Sequence, residues 1–317
     1  MKYPISTLSK ALDVKQFFRA SEWYFLSVLS LYTVLALLFF SEIPIVTTIL
    51  LENILIAIGL ISLAALSKYK AESFFSFLHT FYHLPLIYLF FIQVFSFISV
   101  VNPKDYDHML IAWDFSLFGV NPTVWLQQYS HPILTEFLQI AYVLFFFHAF
   151  TQTIEHYKKG RIEDADFVTR TIIFGFLLSY LAYFFLPAIG PRFTLHDYSL
   201  LNVELPGIWL TEHLRTIIDS GDGVRLADVN PMTQVHRNCM PSGHTMMTLM
   251  NMIMAFKLKS SLRWIFFFMG ISLIFATIYL RYHYVVDVLF GIVFAFLALW
   301  LEPICYRFLL RYHLIKK

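Results

Sequence analysis

Residues 283–302 read HYVVDVLFGIVFAFLALWLE, with a histidine and an aspartate near the start and no further charge until the final glutamate. An α-helix of about 20 residues crosses the ~30 Å hydrocarbon core of a bilayer. Lipid offers no hydrogen-bond partners to the backbone, so such a segment satisfies its own peptide groups by forming a helix. The stretch therefore predicts a membrane-spanning helix with two ionisable side chains near one end.

The composition of the whole chain agrees with this reading. Of 317 residues, 58% are hydrophobic and 14% are charged, whereas about 25% of residues in soluble domains are charged. The mean hydropathy is +0.66. These values exclude a soluble enzyme, a disordered chain and a secreted disulfide scaffold. Because the apolar runs approach 20 residues, they favour helices over the short alternating strands of a barrel. The predicted fold class is all-α integral membrane protein.

Eight apolar stretches predict about eight transmembrane helices. No internal repeat and no low-complexity linker divides the chain, so we interpret residues 1–317 as a single polytopic membrane domain. The predicted spans are residues 23–41, 43–66, 74–101, 133–154, 171–189, 241–256, 264–280 and 283–302.

Lysine and arginine are distributed unequally between alternate loops, and 17 of the 23 fall on the side that holds both termini. Since cytoplasmic loops are enriched in these residues, both termini are predicted to be cytoplasmic. The long loops 102–132 and 190–240 then face the extracytoplasmic or lumenal side. Residues 1–21 are expected to lie on the inner leaflet as an interfacial segment. A net charge of +2 without a basic block indicates no nucleic-acid partner.

The tetrapeptide Pro241-Ser242-Gly243-His244 has the features of a helix start on the outer side. Proline is favoured in the first turn of a helix and serine is a good N-cap. Free backbone amides and the helix dipole make such an end an anion site, where Gly243 leaves room for a phosphate. The alternative is an ordinary helix cap with an interfacial histidine.

His283 and Asp287 are four residues apart, so a helix would place them on one face. A carboxylate that binds one ring nitrogen fixes the tautomer and makes the other nitrogen a better nucleophile. Arg281 adds a cation beside them. The alternative is a buried polar pair that holds two helices together, but unpaired polar groups near lipid are costly. We therefore favour a functional pair.

The predicted topology brings these groups to one membrane face and suits phosphoryl transfer through a phosphohistidine. His283 would attack phosphorus, Asp287 would orient it, and His244 would act as general acid and then general base. Arginine binds phosphate through bidentate, charge-assisted hydrogen bonds. The predicted phosphate-binding residues are Arg192, Ser242, Gly243, Arg281 and Arg237.

The ordered motifs Gly190-Pro191-Arg192, Pro241-Ser242-Gly243-His244 and His283-x-x-x-Asp287 resemble those of the type 2 phosphatidic acid phosphatase superfamily. The resemblance covers about residues 100–300. It implies a six-helix core, preceded here by additional N-terminal helices, and a lipid phosphatase or phosphotransferase with a histidine nucleophile and neither metal nor cofactor.

A second stretch, WDFSLFG at residues 113–119 followed by Asn121-Pro122, is similar to the branch of inositolphosphotransferases that contains the inositol phosphorylceramide synthases. This branch implies a lipid phosphate or phospholipid substrate and an alcohol acceptor such as inositol. Water is an equally open acceptor, so hydrolase and transferase remain alternatives.

The chain departs from the family pattern at two positions. Phe185 stands where the common first motif has a lysine, and Thr277 stands where the third motif has an arginine. Related sphingolipid-type transferases also have a reduced third motif, so the second departure favours that branch. Arg281 and Arg237 are the candidates to supply the missing positive charge.

Several other polar residues receive structural interpretations. Glu52, Asn53 and Glu136 are expected to make hydrogen-bonded interhelical contacts. His79 and His83 could bind a metal, but without a third ligand we interpret them as satisfied histidines. Asp219, Asp222 and Asp228 lack the ligand series of a calcium loop.

Two rival functions remain. A transporter would show broken helices in paired halves and an internal repeat, and the sequence has no such repeat. A zinc-dependent membrane hydrolase would use His244, His283 and Asp287 as ligands.

Overall fold

A computed structural model of the chain describes residues 18–69, 74–224 and 231–315. All regular structure in these ranges is helical, which confirms the all-α class. Most of the predicted interfacial segment 1–21, and also Asp228, lie outside the described residues. The longer helices are α1 (Ala20–Leu38), α2 (Val46–Tyr69), α3 (Phe74–Phe81), α4 (His83–Val101), α5 (Asp107–Phe118), α6 (Pro132–Val143), α7 (Phe145–Lys158), α8 (Ile162–Ala182), α9 (Thr211–Gly221), α10 (Gly243–Lys257), α11 (Arg263–Tyr279) and α12 (Val285–Arg311).

The number of helices that meet the requirement for a full membrane span is smaller than predicted. Within the described residues, α1, α2, α4, α8 and α12 are long and apolar enough, and the bent pair α6 and α7 makes a sixth. Helix α11 is apolar but has 17 residues, and α10 has 15. Within the described residues, five or six helices thus meet the criteria for a full span, and the others are shorter, which fits a multi-pass membrane protein.

Three predicted spans differ in detail from the observed helices. The span 74–101 is divided at Tyr82 into α3 and α4, and Pro85 lies in the first turn of α4, where its missing N–H is tolerated. The span 133–154 bends by 50° between α6 and α7. Helix α8 begins at Ile162 instead of residue 171, because acidic residues in its first turn favour a helix N-terminus.

The described residues of the chain fall into two compact units. The first contains residues 18–69, 74–100 and 300–315. Its core is aromatic. The ring centroids of Phe25 of α1 and Phe90 of α4 lie 5.4 Å apart, and those of Tyr32 and Phe97 lie 5.0 Å apart. Helix α2 presents many large apolar side chains to the exterior, which is the pattern of a lipid-facing helix.

The second unit contains the described residues of Val101–Leu299 and carries all the predicted site residues. Helices α7, α8 and α10 pack against one another, and α6 and α10 pack against α11. Methionines of α10 fill much of this core. A Cβ at Gly175 of α8 would lie 2.9 Å from the Cε atoms of Met247 and Met250, so glycine permits the close approach.

Candidate active site

The Pro-Ser-Gly-His segment starts a helix as predicted. Ser242 is the N-cap of α10, and its Oγ accepts a hydrogen bond from Thr245 N at 3.3 Å. The backbone N–H of Ser242 donates to the carbonyl oxygen of Asp287 at 3.0 Å. A Cβ at Gly291 would lie 2.7 Å from Ser242 O. Glycine at position 291 thus lets α12 pack directly against the first turn of α10.

His283 and Asp287 contact each other, although not as two residues of one helix. Helix α12 begins at Val285, so His283 precedes it, which corrects the predicted start. His283 Nδ1 lies 3.5 Å from Asp287 Oδ2, and both residues are buried. The same oxygen accepts hydrogen bonds from Tyr284 N at 2.9 Å and from the Cys239 thiol at 2.8 Å. The carboxylate is therefore held in place by the backbone and a neighbouring side chain.

His244, the predicted acid and base, lies beside His283 with 5.9 Å between ring centroids. Its ring is held by aromatic groups, because Tyr142 and Phe145 each lie 4.3 Å away between centroids. The Tyr142 hydroxyl is 3.3 Å from His244 Nδ1. His244 Nε2 is buried without a hydrogen-bond partner among the described residues. The bend between α6 and α7 lets rings from both helices enclose this histidine.

Arg192 lies in a short helix that follows Gly190, and it is almost completely buried. Its guanidinium group binds two carboxylates, Asp219 and Asp222, the latter at 2.7 Å. It also lies over the ring of Tyr282 at 4.9 Å from the centroid. Burial raises the pKa of the Asp222 carboxyl above its usual range, although Arg192 opposes the shift. The predicted phosphate-binding arginine is thus paired with two aspartates that sequence analysis left outside the site.

The other two predicted arginines have different surroundings. Arg281 is completely buried and has a backbone φ of 68°, which non-glycine residues rarely adopt. Its Nη1 binds Glu204, while Nε and Nη2 have no hydrogen-bond partner among the described residues. Arg237 is bound to the segment after α4, through the Asp105 carboxylate and the carbonyl oxygen of Asn102 at 2.9 Å. The structure therefore leaves donors available on Arg281 and engages those of Arg237.

Two aspartates of α5 position the motifs, and sequence analysis missed their role. Asp107 accepts hydrogen bonds from the backbone N–H groups of Ile189 and Gly190, at 3.0 and 2.8 Å, and from the Tyr284 hydroxyl at 2.8 Å. One carboxylate thereby connects the turn before Arg192 to the loop that carries His283.

Asp114 has a related role at the start of α12. Its two carboxylate oxygens accept hydrogen bonds from Val285 N at 2.9 Å and Val286 N at 2.8 Å. It therefore caps α12 from another part of the chain. Position 114 belongs to the WDFSLFG stretch. An acidic residue within an apolar segment was the available signal, but only the fold shows which amides it binds.

Glu136 of α6 makes the expected hydrogen-bonded contact between helices, because Thr211, the first residue of α9, donates to its carboxylate through N at 3.2 Å and Oγ1 at 2.6 Å. Its carboxylate accepts hydrogen bonds from the backbone N–H groups of residues 208–211, the shortest from Leu210 N at 2.7 Å. It thus fixes the loop that leads into α9. A Cβ at Gly207 would lie 2.9 Å from Glu136 Oε2, so this loop needs glycine there.

A metal could in principle be held by Cys239, His283 and Asp287, whose ligand atoms lie within 4.8 Å of one another. Zinc binds cysteine as the thiolate. Here the Cys239 thiol donates a hydrogen bond to Asp287 Oδ2, and burial raises the pKa of the thiol well above its usual value. In this structure the three residues form a hydrogen-bonded cluster, and binding zinc would require the thiol to lose its proton.

Comparison with known proteins shows the family of the chain. Residues 108–301 match the family model of the PAP2 superfamily. The match covers more than half of the chain, so the protein belongs to this superfamily. Comparisons with curated proteins and with solved structures gave no match. The protein is accordingly a phosphatase-type membrane enzyme with a lipid phosphate as substrate.

Proposed function

We propose that the protein transfers or hydrolyses the phosphorylated head group of a membrane lipid through a phosphohistidine at His283. The contact between His283 Nδ1 and Asp287, beside His244, carries this proposal. With Nδ1 directed to the carboxylate, Nε2 is the nitrogen that attacks phosphorus. The separation of 3.5 Å is long for a hydrogen bond, as is common for catalytic contacts before substrate binds.

In the first step, His283 Nε2 forms a bond to phosphorus and the bond from phosphorus to the lipid alcohol oxygen breaks. His244 donates a proton to that oxygen, and the alcohol leaves. In the second step, His244 accepts a proton from water or an alcohol, whose oxygen forms a bond to phosphorus and releases His283. Asp287 stabilises the charged imidazole in both steps. Acid–base catalysis of this kind contributes roughly 10²–10⁴-fold.

The phosphoryl oxygens would be held by the N-terminal amides of α10 near Gly243 and by the free donors of Arg281. Arg192 would bind phosphate by exchanging one of its carboxylate partners. Each arginine close to the site has an acidic partner, Asp219 and Asp222 for Arg192 and Glu204 for Arg281. Such a site favours a phosphodiester with one negative charge over a phosphomonoester with two.

This charge balance supports the inositolphosphotransferase-like alternative within the superfamily, in which a phosphorylated head group moves between two alcohols. The motif around Asp114 supports the same branch. We further infer from the distribution of Lys and Arg that both termini are cytoplasmic and that the site faces the extracytoplasmic or lumenal side.

The test is to incubate the purified protein with phospholipids that carry labelled phosphate, with and without inositol. A labelled phosphate ester of the added inositol identifies a transferase, whereas free phosphate or a phosphorylated head group identifies a hydrolase. Label should also be trapped on the protein in the acid-labile, base-stable form typical of phosphohistidine, and it should be absent from His283→Ala. Turnover without any labelled protein intermediate would contradict the proposed mechanism.

A further inference from the structure

A group of polar side chains lies buried in the second unit, outside the site described above. Each is at most 8% exposed. Each has at least one side-chain nitrogen or oxygen without a hydrogen-bond partner among the described residues. The members are His148, Gln152 and His156 of α7, Thr171 of α8, and Thr245, Thr248 and Asn251 of α10.

The spacing of these residues places them on defined helix faces. His148, Gln152 and His156 are four residues apart, so they form one face of α7. Thr245, Thr248 and Asn251 are three residues apart along α10. These residues therefore line the interior of the second unit, where α7, α8 and α10 pack against one another. Thr245 and Thr248 also border Gly291 of α12 and Gly270 of α11.

Contacts at both ends of α7 and α10 show how these two helices run relative to each other. At one end, Phe145 in the first turn of α7 packs against His244 of α10, with ring centroids 4.3 Å apart. At the other end, Glu155 of α7 accepts a hydrogen bond from Ser261 N, which follows α10, at 2.7 Å. The two helices therefore run in the same direction, and the polar faces extend from His244 to His156.

The chemistry of the group identifies what it can bind. Buried polar atoms without partners are strongly disfavoured, and natural proteins satisfy them with internal water. None of the seven side chains is a carboxylate, lysine or arginine, so a charged ligand would have no counter-charge from them. Donors and acceptors are both present. This mixture suits water molecules, each of which makes about three hydrogen bonds.

We propose that α7, α8 and α10 enclose a chain of internal water molecules that ends at His244. His244 Nε2, itself buried without a partner among the described residues, would bind the last of them. The consequence for catalysis rests on the proposed function. Water from this chain attacks the phosphorus of phosphohistidine 283, a P–O bond forms, the P–N bond breaks with its electron pair returning to Nε2, and His244 takes the proton.

The chain can be tested without any activity measurement. Oxygen-18 water and brief X-ray radiolysis label side chains that lie beside internal water, and mass spectrometry locates the label. We expect label at His148 and His156 in the native protein in lipid nanodiscs. Gln152→Leu and Asn251→Leu should lose it, whereas Met254→Leu, a buried apolar exchange on α10, should keep it. A folded native protein without label at either histidine would overturn the proposal.

The catalytic consequence has its own readout, the partition of the phosphohistidine between water and an added alcohol such as glycerol. Gln152→Leu and Asn251→Leu should lower hydrolysis severalfold relative to alcohol transfer, with the rate of phosphoenzyme formation unchanged. An unchanged ratio in variants that have lost the label would overturn the supply of water through the chain. A native protein labelled at His148 and His156 that forms no phosphohistidine would instead contradict the proposed function and support the water chain.

Discussion

Two buried histidine–carboxylate pairs, one in each unit, differ in how completely their atoms are bound. In the first unit, His79 Nε2 lies 2.9 Å from Glu22 Oε1 and His79 Nδ1 lies 3.0 Å from Ser67 Oγ. Glu22 also accepts hydrogen bonds from the Tyr82 hydroxyl and from Arg19 N, both at 2.6 Å. Every polar atom of this pair therefore has a protein partner.

The pair of the second unit, His283 and Asp287, is incompletely hydrogen-bonded. Among the described residues, the hydrogen-bond contacts of the His283 ring are made by Nδ1, which faces Asp287 and Cys239. Asp287 Oδ1 is buried without a partner in the same part of the chain. A pair that stabilises a fold saturates its hydrogen bonds, whereas a pair that performs chemistry leaves a reactive atom available. Mutations in the two pairs should therefore change different measured quantities.

His283→Ala is expected to have the largest effect, because it removes the nucleophile. Activity should fall by about 10⁴-fold or more, with no phosphoenzyme formed. The matched control is His79→Ala, which removes a histidine from the saturated pair and should lower the melting temperature while preserving turnover per folded molecule. Near-normal turnover in folded His283→Ala would exclude the nucleophile assignment.

Asp287→Asn should come next. The amide can still occupy the same position, but it cannot stabilise a charged imidazole, so activity should fall by roughly 10²–10⁴-fold. Rapid-quench measurement of phosphoenzyme formation separates this effect from lipid binding, because the KM should change little. If only the KM rises, Asp287 acts in substrate binding and the contrast with Glu22 is lost.

Glu22→Ala should have the opposite effect to Asp287→Asn, because it should lower stability and leave turnover unchanged. It leaves His79, Tyr82 and Arg19 N without their shared acceptor, so the free energy of unfolding should fall by about 3 kcal/mol. Thermal unfolding in detergent measures this loss, and turnover per folded molecule should be unchanged. A stable Glu22→Ala protein with impaired turnover would show that the first pair also serves the reaction.

Asp114→Ala removes the carboxylate that caps α12 next to the second pair, and it should have a smaller effect. Loss of the cap on α12 should lower the free energy of unfolding by about 1–2 kcal/mol. Because α12 begins two residues after His283, kcat should fall by about tenfold with an unchanged KM. Asp114→Asn, which keeps one acceptor oxygen, should recover part of both losses. Ser116→Ala, at an exposed position of the same helix, is the control.

The sequence predicts the His283–Asp287 contact, which joins near neighbours in the chain, better than it predicts the His79–Glu22 contact. A histidine and an aspartate four residues apart indicate a functional pair, and a serine before glycine indicates a helix cap, because these signals depend on neighbouring residues. The contact between His79 and Glu22 joins residues 57 positions apart. No local pattern contains that information, so the sequence alone predicts a satisfied His79 but not its partner.

The same limit explains the errors around the site. The arginines at 192, 237 and 281 have the charge that a phosphate site needs, but their carboxylate partners come from distant segments. Asp107 and Asp114 act on amides about 80 and 170 residues away. Hydropathy identified the apolar segments, whereas the break before Pro85 and the bend between α6 and α7 depend on local backbone effects and on packing.

The smallest expected effect separates the phosphohistidine mechanism from the zinc alternative. A strong chelator should leave activity unchanged, because in the proposed mechanism the Cys239 thiol keeps its proton and donates a hydrogen bond to Asp287 instead of binding zinc as a thiolate. Cys239→Ser sharpens the test, since a serine hydroxyl can donate the same hydrogen bond but binds zinc weakly. We expect less than about a tenfold loss of activity in this variant. Activity that disappears with chelator and returns with zinc would make the pair of the second unit a metal site, and its incomplete hydrogen bonding would then have a different cause.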